Sequence, residues 1–99
     1  MKTMTTEALV SKLRELKPHI LYKFRAEEIR LFGSRVKGEQ NDQSDVDILV
    51  DFKNEADLFD LTGLAIFLED TLKQKIDVVP KRALRKEMKD SISNEAILI

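Results

Sequence analysis

Residues 45–52, Asp-Val-Asp-Ile-Leu-Val-Asp-Phe, constrain the fold more than any other part of the chain. Alternate side chains of a strand share a face. Val46, Ile48, Val50 and Phe52 therefore form an apolar set, and Asp45, Asp47, Leu49 and Asp51 form the set behind it. Such a strand needs a core packed on its apolar side. It also leaves Asp45 and Asp47 together, with their backbones roughly 6–7 Å apart. Carboxylates at that spacing can converge on one divalent cation, and Mg²⁺ prefers oxygen ligands.

Two other stretches bear on that pair. Lys-Ile-Asp-Val-Val-Pro, residues 75–80, reads as a strand with a carboxylate, Asp77, in an apolar setting. Buried there without a partner, the charge would cost several kcal/mol, on the order of what an isolated buried polar group costs. A cation shared with Asp45 and Asp47 removes that penalty, provided the two strands are neighbours. Gly33-Ser34 follows the apolar run Glu-Ile-Arg-Leu-Phe and precedes Asp45 by a polar stretch. Glycine lets backbone approach a ligand closely. The N–H groups of a tight turn, a serine hydroxyl and the nearby charges of Arg35 and Lys37 suit a phosphate. A phosphate cradle on one element and a metal cluster on the next suit a Mg²⁺-bound nucleoside triphosphate.

The remaining pattern gives an element order. Thr5 or Thr6 caps a helix with Glu7 in its first turn and Leu9, Leu13, Leu16 and Ile20 at helical spacing. Pro18 is expected to break or kink it. Strands follow at 28–32 and 45–52, joined by a polar turn or short helix over 34–44. A helix starts near Asp57 and runs to about Lys75, a third strand covers 75–80, and a last helix covers 81 to about 93 with Leu84, Met88 and Ile92 on one stripe. The order α-β-β-α-β-α predicts an α/β (α+β) protein with a small mixed sheet and helices packed on it. At 99 residues the chain is expected to be a single domain, residues 1–99, with one core. The absence of cysteine excludes disulfides, thiolate zinc sites and cysteine nucleophiles. No stretch reads as a signal peptide or membrane span, so the expected location is cytoplasmic. A net charge of −1 argues against nucleic acid as the main partner.

Gly33-Ser34, then Asp45-Val46-Asp47 opening a hydrophobic strand, then Asp77 on a later strand, resembles the polymerase β nucleotidyltransferase superfamily. The stretch 33–52 is especially similar to the minimal nucleotidyltransferase (MNT) family, and the likeness extends to the leading helix, the 75–79 strand and the Asn94–Ile97 tail. The resemblance implies a polymerase β-like nucleotidyltransferase fold. It implies that Gly33, Ser34 and Arg35 bind the nucleotide, and that Asp45 and Asp47 hold one or two Mg²⁺ ions bridging its phosphates. Asp77 would complete the catalytic and metal set as ligand or base. The implied reaction transfers NMP, AMP from ATP by family likeness, to a hydroxyl. The implied partner is a HEPN-type toxin, with the chain acting as antitoxin in a toxin–antitoxin module. Two other roles stay open: a non-catalytic antitoxin with a vestigial nucleotide site, and a catalytic subunit acting on a small molecule. Homo- and hetero-oligomers are both open.

Each piece alone has a plainer reading. Gly-Ser is a common turn dipeptide. Asp-x-Asp can open a strand as solvated acids, and Asp77 can be an edge-strand acid facing water. His19, the sole histidine, reads as a surface or cap residue. The basic residues of 81–89 read as the solvated face of a helix, with an RNA or acidic-partner contact as the alternative. In the helix after Asp57, Leu58, Leu61, Ala65, Leu68 and Leu72 should pack on the sheet. Phe59, Ile66 and Phe67 lie elsewhere on it, buried by neighbouring elements or exposed as the docking surface for an acceptor-bearing protein.

Overall fold

The structure is a computed structural model, and it describes residues 5–33, 46–86 and 95–99. Helix α1 spans Thr6–Lys23, followed by β1 (Ala26–Phe32), β2 (Val46–Phe52), helix α2 (Leu58–Leu72), β3 (Ile76–Pro80) and a two-residue strand β4 (Ile97–Leu98). The sheet order is β3-β2-β1-β4. The β1–β2 and β1–β4 pairs are antiparallel, and β2–β3 is parallel with α2 as its crossover. This is the expected mixed sheet with helices packed on it.

The apolar alternation of β2 dictates the layering. Val46, Ile48 and Val50 are 0% exposed and join Ile29 and Leu31 of β1 and Ile76 of β3 in one core. Leu9, Leu13 and Ile20 of α1 and Leu64, Leu68 and Leu72 of α2 close the same core from above. Both helices thus cover one face. Asp47, Leu49 and Asp51 point to the other, opposite Phe32, Arg30 and Glu28 of β1.

Helix α1 begins where expected, with Thr5 Oγ1 accepting from Ala8 N at 3.1 Å. It does not break at Pro18 but runs on to Lys23. Proline lacks the N–H that would bond the Arg14 carbonyl. Both residues are exposed, so water can satisfy that carbonyl. Ile20 and Phe24, buried further along, hold the last turn in place. Asp57 starts α2 through a capping box: its side chain accepts from Asp60 N, and the Asp60 carboxylate accepts from Asp57 N.

The expected helix from residue 81 does not begin there. Lys81–Ala83 form a single 3-10 turn and Leu84 is extended. Arg82 donates to the carbonyls of Phe52 and Lys53, 3.3 Å each, which ties this turn to the end of β2. Met88, Lys89 and Ile92 lie outside the described residues. Strand β4 was absent from the expected order, because two residues carry no readable period.

Candidate active site

The site is built where β1 ends and β2 and β3 begin. Asp47 pairs with Phe32 across the antiparallel ladder and with Asp77 across the parallel one. Directly paired residues on neighbouring strands share a face and lie about 4.8 Å apart in the hydrogen-bonding direction. Asp47 and Asp77 are therefore side by side on the face away from the helices. This is the adjacency on which a shared cation depends.

Asp77 itself differs from the expected buried acid. Strand β3 is the edge of the sheet, and Asp77 is exposed there while Ile76 before it is buried. Water solvates its charge, so the carboxylate does not need a cation to exist in this strand. Asp47 is half-buried.

Gly33 is bound to this pair by shape. It closes β1 with φ +85°, a left-handed conformation that side chains rarely adopt. A Cβ on Gly33 would collide with Oδ2 of Asp47 and come within 3.0 Å of its Cγ. The glycine therefore serves two ends: it turns the chain, and it leaves the volume that the Asp47 carboxylate fills. The sequence showed both residues but not their contact, which follows from the Phe32–Asp47 register.

Ser34, Arg35 and Asp45 of the expected set lie outside the described residues, as does the 34–44 connection. Among the described residues no three His, Cys, Asp or Glu side chains gather as a metal site. The donors that are placed fit Mg²⁺ in kind. Asp47 and Asp77 offer hard oxygen ligands from adjacent strands, one of them open to water or phosphate.

Beyond the acids, the same face carries a half-buried ion pair. Arg30 Nε donates to Glu28 Oε1 at 2.7 Å, and Arg30 pairs with Leu49 next to the acidic row. Glu28 and Arg30 are two residues apart on β1, so the strand's period of two places them on one face; the pair was legible in the sequence but not singled out there.

The apolar residues of α2 divide differently from the expectation. Leu58 is 72% exposed, and Leu64 takes its place in the core stripe. Phe67 is not on the open surface: it packs against the core and stacks on His19 and Phe24, with ring centroids 5.2 and 5.7 Å away. His19 is an exposed surface residue with an aromatic contact. Phe59 and Ile66 remain on the surface, 85% and 61% exposed. They sit on the helix layer, across the sheet from Asp47 and Asp77, and not beside the acids as expected of an acceptor-docking surface. Among the described residues no helix is long and apolar enough to cross a membrane.

Comparison with known proteins adds sequence and fold relatives. The family model of the nucleotidyltransferase domain matches residues 9–99. The protein adenylyltransferase MntA of Thermococcus cleftensis is 34% identical over 99 residues, 100% of either chain. A solved structure described as a candidate minimal nucleotidyltransferase superposes with a TM-score of 0.86 at 31% identity, covering 100% of both chains. A chain from the complex of a tri-AMPylated Shewanella oneidensis HEPN toxin with an MNT antitoxin gives 0.67 at 20% identity, covering 94% of this chain and 70% of that one. That last likeness is one of fold.

Proposed function

This chain belongs to the nucleotidyltransferase domain family, and from that premise we propose that it transfers AMP from ATP to a hydroxyl on a HEPN-type toxin, acting as its antitoxin. The observation that carries the reading is the Asp47–Asp77 pair, in register on adjacent strands with Gly33 against Asp47. Full-length similarity to a protein adenylyltransferase supports AMP as the group and a protein as the acceptor. The Shewanella complex, whose toxin carries AMP, supports the HEPN partner.

In the proposed reaction the acceptor oxygen attacks the α-phosphorus of ATP. The bond from that phosphorus to the bridging oxygen breaks, and pyrophosphate leaves with its electron pair. Asp45, Asp47 and Asp77 would hold Mg²⁺, which when bound neutralises triphosphate charge and favours the ionised hydroxyl. Gly33 and Ser34 bind phosphate through backbone N–H and hydroxyl donors, with Arg35 adding charge. Of Asp47 and Asp77 the latter is the more exposed, so a hydroxyl arriving from another chain meets Asp77 before Asp47 and gives it the proton. The whole chain, residues 1–99, acts as one catalytic domain in this reading.

The test is intact-mass measurement of a HEPN-type partner incubated with ATP, Mg²⁺ and this protein. A gain of one or more AMP, lost with Asp47→Asn, is the expected result. A stable complex with no mass gain would make the chain a binding-only antitoxin. Transfer to a small alcohol without any partner would make it a small-molecule enzyme.

A further inference from the structure

We propose that the outer face of α2 is a docking surface for a basic amphipathic helix of the partner protein, separate from the place where the hydroxyl reacts. The inference names a contact of the partner and so rests on the adenylyltransferase reading.

Three observations on the helix layer carry it. Phe59 and Ile66 are two turns apart on one side of α2 and are 85% and 61% exposed. Large apolar side chains so open to water, on one stripe, signal an interface. Thr62, also exposed, lies between them on the same side, whereas Gly63 faces inward, where Phe24 packs on it. Leu58, next to Phe59 and 72% exposed, walls a cleft of about 210 Å³ with Phe52, Leu61 and Pro80, with Asp57 and Arg82 as its charged lining. That is room for one bulky apolar side chain at the end of the stripe.

Charge selects the occupant. Residues 54–72 contain five carboxylates, Glu55, Asp57, Asp60, Glu69 and Asp70, and no lysine, arginine or histidine. The chain as a whole holds 18 acids against 17 Lys and Arg, so the remainder has 13 acids against those 17 bases. The excess acidity thus lies along α2 and its N-cap, strongest at the Asp57 and Asp60 end beside Phe59, since Asp70 is paired with Lys73 at 3.5 Å. A helix with lysine or arginine flanking an apolar ridge matches both features, and an acidic partner is repelled.

The geometry gives the surface its separate role. Asp47 and Asp77 lie on the opposite face of the sheet, which α2 does not cover. A helix docked on Phe59 and Ile66 therefore holds the partner without blocking the acids. Docking and transfer become independently mutable.

The test uses two fluorescent 18-residue peptides with the same leucine ridge, one flanked by lysines and one by glutamates. The intact protein should bind the lysine peptide, more weakly as salt rises from low to physiological strength, and bind the glutamate peptide at least about tenfold less. Phe59→Ser with Ile66→Ser should weaken the lysine peptide by about tenfold or more, and Thr62→Arg, at an exposed position between them, should do the same by setting a bulky cation against the peptide's lysines. Asp47→Asn should leave binding unchanged. Equal binding of both peptides, or binding indifferent to Phe59, Thr62 and Ile66 in folded variants, overturns the proposal. So does a concentration-dependent dimer of the protein that these substitutions abolish, since the occupant is then a second copy. Loss of AMP transfer in Asp47→Asn is read separately, so failure of the docking surface and failure of the catalytic reading are distinguishable.

Discussion

On the helix-covered face of the sheet, Val46, Ile48 and Val50 of β2 are fully buried, while on the opposite face Asp47 of the same strand reaches toward solvent beside Asp77 and Gly33. One strand thus holds two environments a single residue apart. On the first face the determinant is volume, because a close-packed core has one arrangement for its side chains. On the second it is charge, because two neighbouring carboxylates repel unless solvent or a cation intervenes. The comparison teaches that Asp47 and Ile48 carry chemistry and stability as neighbours, while Leu49, on the acidic face but 2% exposed, belongs with the fold. Chemistry and stability should therefore fail separately when Asp47 and Ile48 are changed.

The largest expected effect tests the buried face. Ile48→Ala empties a fully buried position between both helices and the sheet. It should cost about 2–5 kcal/mol in urea unfolding, while molecules that remain folded keep their transfer rate. A folded Ile48→Ala protein with no transfer would break the separation. The complementary change comes next. Asp47→Asn preserves volume, so the unfolding midpoint should move little. Transfer to the acceptor, followed by intact mass, should fall about a hundredfold or more, about 2.7 kcal/mol of barrier. A large unfolding change with little loss of transfer would assign Asp47 to the fold.

How much of this was readable in advance follows the same division. The period of two in β2 gave both faces directly, and Leu9, Leu13 and Ile20 gave the buried side of α1. Partners across the sheet were not readable in the same way. Asp77 was legible as a strand residue, but its exposure depends on β3 being an edge, which is a matter of strand order. Leu58 fits a helical stripe with Leu61, Leu68 and Leu72, yet it lies in the first turn, where the helix overhangs the core and leaves it open. Phe67 follows Ile66 in sequence, but it lies about 100° further round the helix, where His19 of α1 and its C-cap Phe24 cover it. Residues 81–85 have helical composition, but Arg82 is held by the carbonyls at the end of β2, and that long-range contact overrides local preference.

A smaller effect joins the two faces. Gly33→Ala should lose about 1–2 kcal/mol from the left-handed backbone alone, and it should also lose transfer, because the added methyl displaces the Asp47 carboxylate. The double variant Gly33→Ala with Asp47→Ala removes the collision, so its unfolding cost should be less than the sum of the single costs. Strict additivity would mean that the two residues do not meet.

The smallest expected effects lie at the starts of the two helices and ask whether the helix layer reaches the acids at all. Thr5 caps α1 with one hydrogen bond, whereas Asp57 and Asp60 cap α2 with two reciprocal ones. Thr5→Ala should therefore cost about 1 kcal/mol, with Thr5→Ser restoring it. Asp57→Ala should cost about as much, since Asp60 N keeps its bond to the Asp57 carbonyl at 3.1 Å, and Asp57→Asn should recover most of the loss. Neither cap touches Asp47, Asp77 or Gly33, and Asp57 lies near the Phe52 and Pro80 end of the sheet, away from the acids. The AMP transferred per folded molecule should be the same in all these variants as in the parent. Parallel urea unfolding and intact-mass assays on one preparation decide it: a cap variant that loses transfer in proportion to neither unfolding nor aggregation would show that α2 moves when the acids work, and the two faces would then have to be treated as one device.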